Sequence, residues 1–131
     1  MAGTLVDSDV VIAHLRGMSA ARGWLLAERR RARLSISAVS VAEVLGGMRS
    51  PERHEVRALL SSFTCLPVAP STGERAGELR RAYRSSHQRI SIADYLIAAT
   101  AQEHELSLAT LNLRHFPMFP GLVRPFSTDV S

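Results

Sequence analysis

The sequence predicts an α/β fold in which helices cover both faces of a short parallel sheet of four or five strands. Two observations predict it. Short apolar runs alternate with longer helical stretches along the whole chain, and turn or capping residues separate them. The 131 residues contain no internal repeat or linker. We therefore predict a single domain at residues 1–131, with residues 127–131 as a flexible tail.

Local signals place the elements in chain order. Strands are predicted at residues 4–6, 34–37, 64–68 and 106–111, with 122–126 as a candidate fifth. Helices are predicted at residues 9–16, 19–31, 39–48, 50–63, 71–86 and 92–105. Ser8 and Ser91 are N-cap candidates, Gly46-Gly47 end the third helix, and Pro51 opens the fourth. In such a sheet, functional groups gather at the carboxyl ends of the strands.

All 16 basic residues are arginine, and the formal net charge is +4. This charge predicts attraction to polyanions, although a GC-rich genome would also favour arginine codons. Arg29, Arg30, Arg80 and Arg84 are candidate contacts to an RNA backbone, although charge on a helix is usually a solvated face. Aromatic residues make up only 5% of the chain, which argues against a stacking platform for bases.

Cysteine and hydropathy patterns predict a cytoplasmic protein. Cys65 is the only cysteine, so no intramolecular disulfide can form. The sequence shows no secretory leader and no apolar run long enough to span a bilayer. The five histidines lack metal-ligand spacing, which argues against a zinc site. His115, together with Phe116, is interpreted as packing beside the functional site in preference to taking part in catalysis.

Three carboxylates stand alone inside apolar segments. Asp7 ends the first strand, Glu43 is the only charged residue between positions 34 and 48, and Asp94 the only one between 90 and 102. Such acids brought together would repel one another and favour a divalent cation. Each also has a structural interpretation, because Glu43 and Asp94 fit capping boxes and Asp7 or Asp9 could cap the first helix.

Four segments together resemble the PIN-domain family, and most closely the toxin half of VapBC-type toxin–antitoxin pairs. They are Leu5-Val6-Asp7-Ser8-Asp9-Val10-Val11-Ile12, Val39-Ser40-Val41-Ala42-Glu43-Val44, the run from Ile90 to Ala101, and Thr110 to Phe116. The segment around Asp94 is the most specific of them. The start of the first segment is also similar to the nucleophile motif of haloacid-dehalogenase-like phosphatases, but that family relies on a lysine, which this chain lacks.

The resemblance implies a three-layer α/β/α PIN fold and a Mg²⁺-dependent endoribonuclease, with Mn²⁺ as an alternative ion. It implies that Asp7, Glu43 and Asp94 are the catalytic acids and metal ligands. It implies that Asn112 is a fourth catalytic residue, at a position where relatives have Asp or Asn. The missing negative charge at Asn112 puts a full second metal site in doubt. Ser8, Asp9 and Thr110 are supporting residues, and Asp9 is interpreted as a helix cap in preference to a ligand.

The resemblance also implies partners for the chain. These are an RNA substrate, a small antitoxin, and a second copy of the chain in a homodimer that forms a heterotetramer or larger assembly with the antitoxin. The competing interpretation is a PIN fold that binds RNA or protein without cutting. Three retained acids favour the enzyme, and the missing charge at Asn112 favours the rival.

Overall fold

A computed structural model of the protein describes residues 3–128. Its sheet has four parallel strands in the order β3-β2-β1-β4. The strands are β1 (Thr4–Val6), β2 (Leu34–Ser37), β3 (Thr64–Leu66) and β4 (Ser107–Ala109). The four predicted strands and their parallel pairing are confirmed, and β3 and β4 are shorter than predicted.

The candidate fifth strand at residues 122–126 is wrong. This segment is irregular and forms no ladder with the sheet, and Val123 is 73% exposed. Pro125 has no N–H group to contribute to a ladder, and Gly121 turns the chain at a φ of 74° just before the segment. A short apolar run was therefore not enough to specify a strand.

Six α-helices surround the sheet within residues 3–128. They are α1 (Ser8–Leu15), α2 (Ser19–Arg31), α3 (Ala38–Gly47), α4 (Arg53–Ser61), α5 (Pro70–Tyr83) and α6 (Ile92–Glu103). The predicted helix at 50–63 begins instead with a 3-10 turn at Ser50–Glu52, where Glu52 accepts hydrogen bonds from the Arg49 backbone and side chain. None of these helices is long and apolar enough to cross a membrane. Residues 129–131 of the predicted tail lie outside the described part.

Two apolar clusters make the α/β/α layers. Leu5 and Val6 are adjacent in β1 and fully buried, yet they belong to different clusters. Successive strand residues point to opposite faces, so the sheet is buried on both sides. Leu5 packs with residues of α5 and α6, such as Ala76 and Tyr95. Val6 packs with residues of α1 to α4, such as Val10.

The strand order creates a crevice at the carboxyl end of the sheet. The chain moves from β1 to β2 to β3 in one direction and then returns to place β4 on the other side of β1. Connections on the two sides of β1 therefore diverge, and ligands in open α/β sheets bind at this switch point. Asp7 follows β1 and Thr110 follows β4, so both lie at the crevice.

Candidate active site

Asp7 forms the floor of the crevice. Its backbone N–H donates to the Ala109 carbonyl oxygen at 2.9 Å, which joins the ends of β1 and β4. The side chain is 5% exposed and caps α1, with Oδ1 accepting from the Ser8 N–H at 2.8 Å. Asp7, and not the predicted Ser8, is thus the N-cap. A helix N-terminus carries partial positive charge, which favours a carboxylate at this position.

Thr110 connects the two aspartates of the first motif. Its buried hydroxyl lies 2.8 Å from Asp7 Oδ2 and 3.3 Å from Asp9 Oδ2, and it accepts the Asn112 N–H at 3.0 Å. Asp9 Oδ2 also accepts the Leu111 N–H at 3.0 Å. The expectation that Asp9 caps α1 is therefore corrected, because Asp7 holds that position and Asp9 binds the segment after β4.

Glu43 reaches the crevice through Ser8. The Ser8 hydroxyl donates to Glu43 Oε1 at 3.0 Å, across 35 residues of sequence. The capping-box interpretation of Glu43 is wrong, because α3 begins earlier and its N-cap is Ser37, which accepts the Val39 N–H at 3.0 Å. Glu43 is exposed, so it lies at the rim of the crevice.

Asp94 has a structural role and a place in the site at the same time. It forms the predicted capping box, in which Asp94 Oδ2 accepts from the Ser91 N–H at 3.2 Å and Ser91 Oγ accepts from the Asp94 N–H at 3.1 Å. Asp94 Oδ2 also lies 2.9 Å from His115 Nδ1. Its side chain is 16% exposed, which leaves it open to the crevice.

His115 takes part in the site through hydrogen bonds, where the sequence predicted only packing beside the site. Its neighbour Phe116 is a core residue, 1% exposed, as a packing role requires. His115 itself is hydrogen-bonded, with Nδ1 2.8 Å from the Asn112 amide and 2.9 Å from Asp94. In the tautomer with hydrogen on Nδ1, this N–H group donates to Asp94 Oδ2 and to the Asn112 amide oxygen, once that amide is oriented with its oxygen toward the ring. The sequence did contain one signal of this contact. Asn112 and His115 are three residues apart, and side chains at that spacing lie on the same side of a 3-10 turn.

A continuous chain of hydrogen bonds connects the three predicted acids. Each link is between 2.8 and 3.0 Å long, and both backbone and side-chain groups take part. In order, the chain runs Glu43, Ser8, Asp7, Thr110, Asn112, His115, Asp94. The fold therefore joins residues from the three crossover connections and from the segment after β4 into one network at the switch point.

Burial and mutual repulsion raise the pKa of the inner carboxyls. The pKa of Asp7 rises from 3.8 to about 7, mainly through burial, then through the charge of Asp9, with a smaller contribution from Asp94. Hydrogen bonds from Thr110 and Ser8 act in the opposite direction. Burial also raises the pKa of Asp9. Negative charge at the floor is thus costly unless a cation balances it.

The donor set fits a magnesium ion that keeps most of its water. Asp9 Oδ1 is buried and has no hydrogen-bond partner, which marks an unsatisfied acceptor beside Asp7. No group of three or more His, Cys, Asp or Glu side chains in residues 3–128 is arranged to hold a metal ion as it stands. Mg²⁺ is usually bound by one or two carboxylates, several waters and substrate phosphates, and such a site needs no complete protein cage.

The predicted RNA-binding arginines take no part in this network. Arg29, Arg30, Arg80 and Arg84 are exposed on α2 and at the end of α5, and within residues 3–128 none of them bonds to a residue of the network. Arg29 donates instead to Ser62 Oγ at 2.5 Å. Their contact with RNA stays a prediction.

Comparison with known proteins identifies the family of the chain. The sequence model of the PIN domain family matches residues 4–118. The chain belongs to the PIN domain family. This PIN domain is 57% identical to Ribonuclease VapC10 of Mycobacterium tuberculosis, over 94% of the chain and 92% of the relative. It is 41% identical to Ribonuclease VapC19 of the same organism, over 93% of the chain and 98% of the relative.

A solved structure supports the same architecture. The PIN domain superposes on a chain of a toxin–antitoxin complex from Klebsiella pneumoniae with a TM-score of 0.81 and 30% identity, covering 95% of this chain and 98% of the other. The four-stranded sheet and its flanking helices are thus those of a PIN fold.

Proposed function

We propose that this PIN domain is a Mg²⁺-dependent endoribonuclease that acts as the toxin of a toxin–antitoxin pair in the cytoplasm. The observation that carries the proposal is the hydrogen-bond chain that collects Glu43, Asp7 and Asp94 at the switch-point crevice. The 57% identity to a ribonuclease supports the same reaction class. Mn²⁺ is the alternative ion, because it shares the preference of Mg²⁺ for carboxylate and water ligands.

Differences in exposure support a separate role for each acid. Asp7 is 5% exposed at the floor, the Asp94 side chain is 16% exposed at the side, and Glu43 is exposed at the rim. Asp7 and Asp94 would hold the ion, and Glu43 would complete its shell through water. When bound, Mg²⁺ supplies a water of lowered pKa and neutralises charge on the phosphate.

The remaining residues of the chain keep the acids in place. Thr110 fixes the orientation of Asp7 and Asp9 by sharing one hydroxyl between them. Ser8 holds the Glu43 carboxylate by donating to Oε1, and the remaining carboxylate oxygen would be able to accept a proton from water. Asn112, placed by its backbone bond to Thr110, presents an amide that can position the attacking water or the phosphate.

An antitoxin is the proposed protein partner. Related solved structures include a toxin–antitoxin complex, that of Klebsiella pneumoniae at 30% identity. We propose that a small protein encoded beside this chain covers the crevice, and that the chain forms a homodimer within a heterotetramer or larger assembly.

Cleavage by the Asp94→Asn variant tests the enzyme against a non-cleaving module. Asparagine can still accept the Ser91 N–H, so the cap of α6 and the fold are retained. We expect growth arrest on expression of the wild type without its antitoxin, and RNA fragments with 5′-phosphate ends. Both effects should disappear in Asp94→Asn and persist in Glu78→Gln, which neutralises an exposed acid on α5.

Full RNase activity in Asp94→Asn would refute the assigned mechanism. Binding of RNA without cleavage by the wild type, with either Mg²⁺ or Mn²⁺, would favour the non-cleaving module. Sequencing the 5′ ends of the fragments would identify the RNA and the cut position.

A further inference from the structure

A cavity of about 310 Å³ adjoins the carboxylate crevice. Residues 87–90, in the loop between α5 and α6, line one side of it. Asn112, Arg114 and His115, in and beside the 3-10 turn after β4, line the other. We call this cavity the flanking pocket. Its volume is at the lower end for small-ligand sites and suits one nucleotide better than a protein helix.

The charge of the flanking pocket is positive. Its two charged lining residues are Arg89 and Arg114, and no acid lines it. Both arginines are exposed, and neither forms an ion pair with any residue among 3–128, whereas Arg31 and Arg49 are paired with glutamates. Two guanidinium groups at the mouth of a small cavity are suited to bind a phosphate in a bidentate manner.

The flanking pocket shares a wall with the proposed catalytic site. Asn112 and His115 line the pocket, and His115 Nδ1 is 2.9 Å from Asp94 Oδ2. A ligand in the pocket is therefore one side chain away from a catalytic acid. A nucleotide bound in the pocket would therefore be the one adjacent to a phosphate held at Asp94.

A fixed ring on the far side gives the pocket a surface for a base. His87 lies 2.8 Å from Ser86 Oγ, and its ring packs edge-on against Tyr83 at a centroid distance of 5.8 Å and an angle of 72°. Proteins recognise single-stranded RNA by stacking unpaired bases on aromatic or arginine planes and by hydrogen bonds to their edges. His87 provides an aromatic ring of this kind in the pocket.

We propose that the flanking pocket binds the nucleotide next to the scissile phosphate of a single-stranded RNA, with Arg89 and Arg114 on its phosphate and His87 against its base. The proposal rests on the proposed ribonuclease function and adds a substrate subsite to it. Phosphate, base and volume together favour a nucleotide over an acidic peptide, which would use only the two arginines.

The test compares Arg89→Gln/Arg114→Gln with Arg53→Gln/Arg57→Gln, which removes the same charge from exposed positions on α4. Binding of a fluorescent single-stranded RNA is measured by anisotropy in EDTA, and cleavage is measured with Mg²⁺. We expect the first variant to raise Kd and KM at least tenfold with kcat within about twofold, and the control to change neither. The plot of log K for RNA binding against log salt concentration has a negative slope. In the first variant this slope should become less steep by about 0.7 to 1.4, which corresponds to one or two lost phosphate contacts.

The outcomes separate the two proposals. A wild type that cleaves RNA, with equal effects in the two double variants, overturns the flanking pocket and leaves the ribonuclease standing. A wild type that binds RNA through Arg89 and Arg114 but never cleaves it supports the pocket and refutes the ribonuclease. If Arg89→Gln/Arg114→Gln binds RNA normally but loses the antitoxin, the occupant is a protein and the proposal is overturned.

Discussion

Replacing Asp7 by asparagine should stabilise the fold in the absence of divalent ions. The carboxylate is buried beside Asp9, and these two conditions raise its pKa to about 7. Asparagine caps a helix as well as aspartate does, so it can keep the bond from the Ser8 N–H. Its amide nitrogen would face Thr110 Oγ, which has a lone pair to accept it. The substitution therefore removes a buried charge while the local hydrogen bonds are retained.

The size of the effect follows from the pKa difference. The carboxyl titrates near 3.8 in the unfolded chain and near 7 in the folded protein. Below about pH 3 it is mostly protonated in both states and contributes almost nothing. Between pH 4 and 7 the unfolded state releases the proton first, so the free energy of unfolding decreases by about 1.4 kcal/mol per pH unit. The Asp7 carboxylate thus costs about 4 kcal/mol at pH 8 and less than about 1 kcal/mol at pH 4.

Urea denaturation followed by circular dichroism in EDTA measures this difference at pH 4 and at pH 8. We expect Asp7→Asn to be more stable than the wild type by about 4 kcal/mol at pH 8 and by less than about 1 kcal/mol at pH 4. Glu55→Gln, an exposed substitution on α4, should change stability by about 0.5 kcal/mol or less. Equal stability of Asp7→Asn and wild type at pH 8, or a difference that does not vary with pH, would refute the reasoning.

Two further predictions concern the residues that hold the carboxylates. Thr110→Val removes the hydroxyl shared by Asp7 and Asp9 and should lower the free energy of unfolding by about 1 to 3 kcal/mol. Thr110→Ser keeps the hydroxyl and should keep this stability. Urea denaturation of the two variants distinguishes loss of the hydroxyl from loss of the methyl group. His115→Asn keeps an amide nitrogen near the position of Nδ1 and should retain most RNase activity, whereas His115→Gln places its amide too far along the side chain to reach Asp94 and should lower kcat about tenfold. Equal kcat in the two His115 variants would show that the contact to Asp94 does not position it.

Sequence rules that concern only neighbouring residues predicted the four strands and the capping box of α6. Four strands were found because short apolar runs are bounded by turn and capping residues. The cap at Asp94 was predicted because a capping box is a three-residue interaction. The same rule failed at Glu43, because both Ser37 and Ser40 were possible N-caps of α3. Ser37 is fully buried at the end of β2 and caps the helix, and that depends on where the strand ends.

The connections between the acids could not be read from sequence neighbours. The bond from Ser8 to Glu43 spans 35 residues, and the bond from Thr110 to Asp7 spans 103. Which residues meet depends on the strand order, since β4 must lie beside β1 for Thr110 to reach Asp7. The sequence predicted that acids would gather at strand ends, but it could not assign the polar residue that bridges each pair. The contact of His115 with Asp94 was missed for the same reason.

The position of the crevice explains how the fold tolerates the charge at Asp7. A carboxylate at the end of a buried parallel strand loses water on both faces of the sheet, which raises its pKa. The same position also starts α1, whose N-terminal N–H groups and dipole favour a negative charge. These opposing effects leave a residual cost that a cation in the crevice would remove, because an ion that binds only the folded protein stabilises it by mass action. Mg²⁺ should therefore stabilise the wild type and leave Asp7→Asn largely unchanged, so the fold and the proposed cofactor are coupled through one side chain.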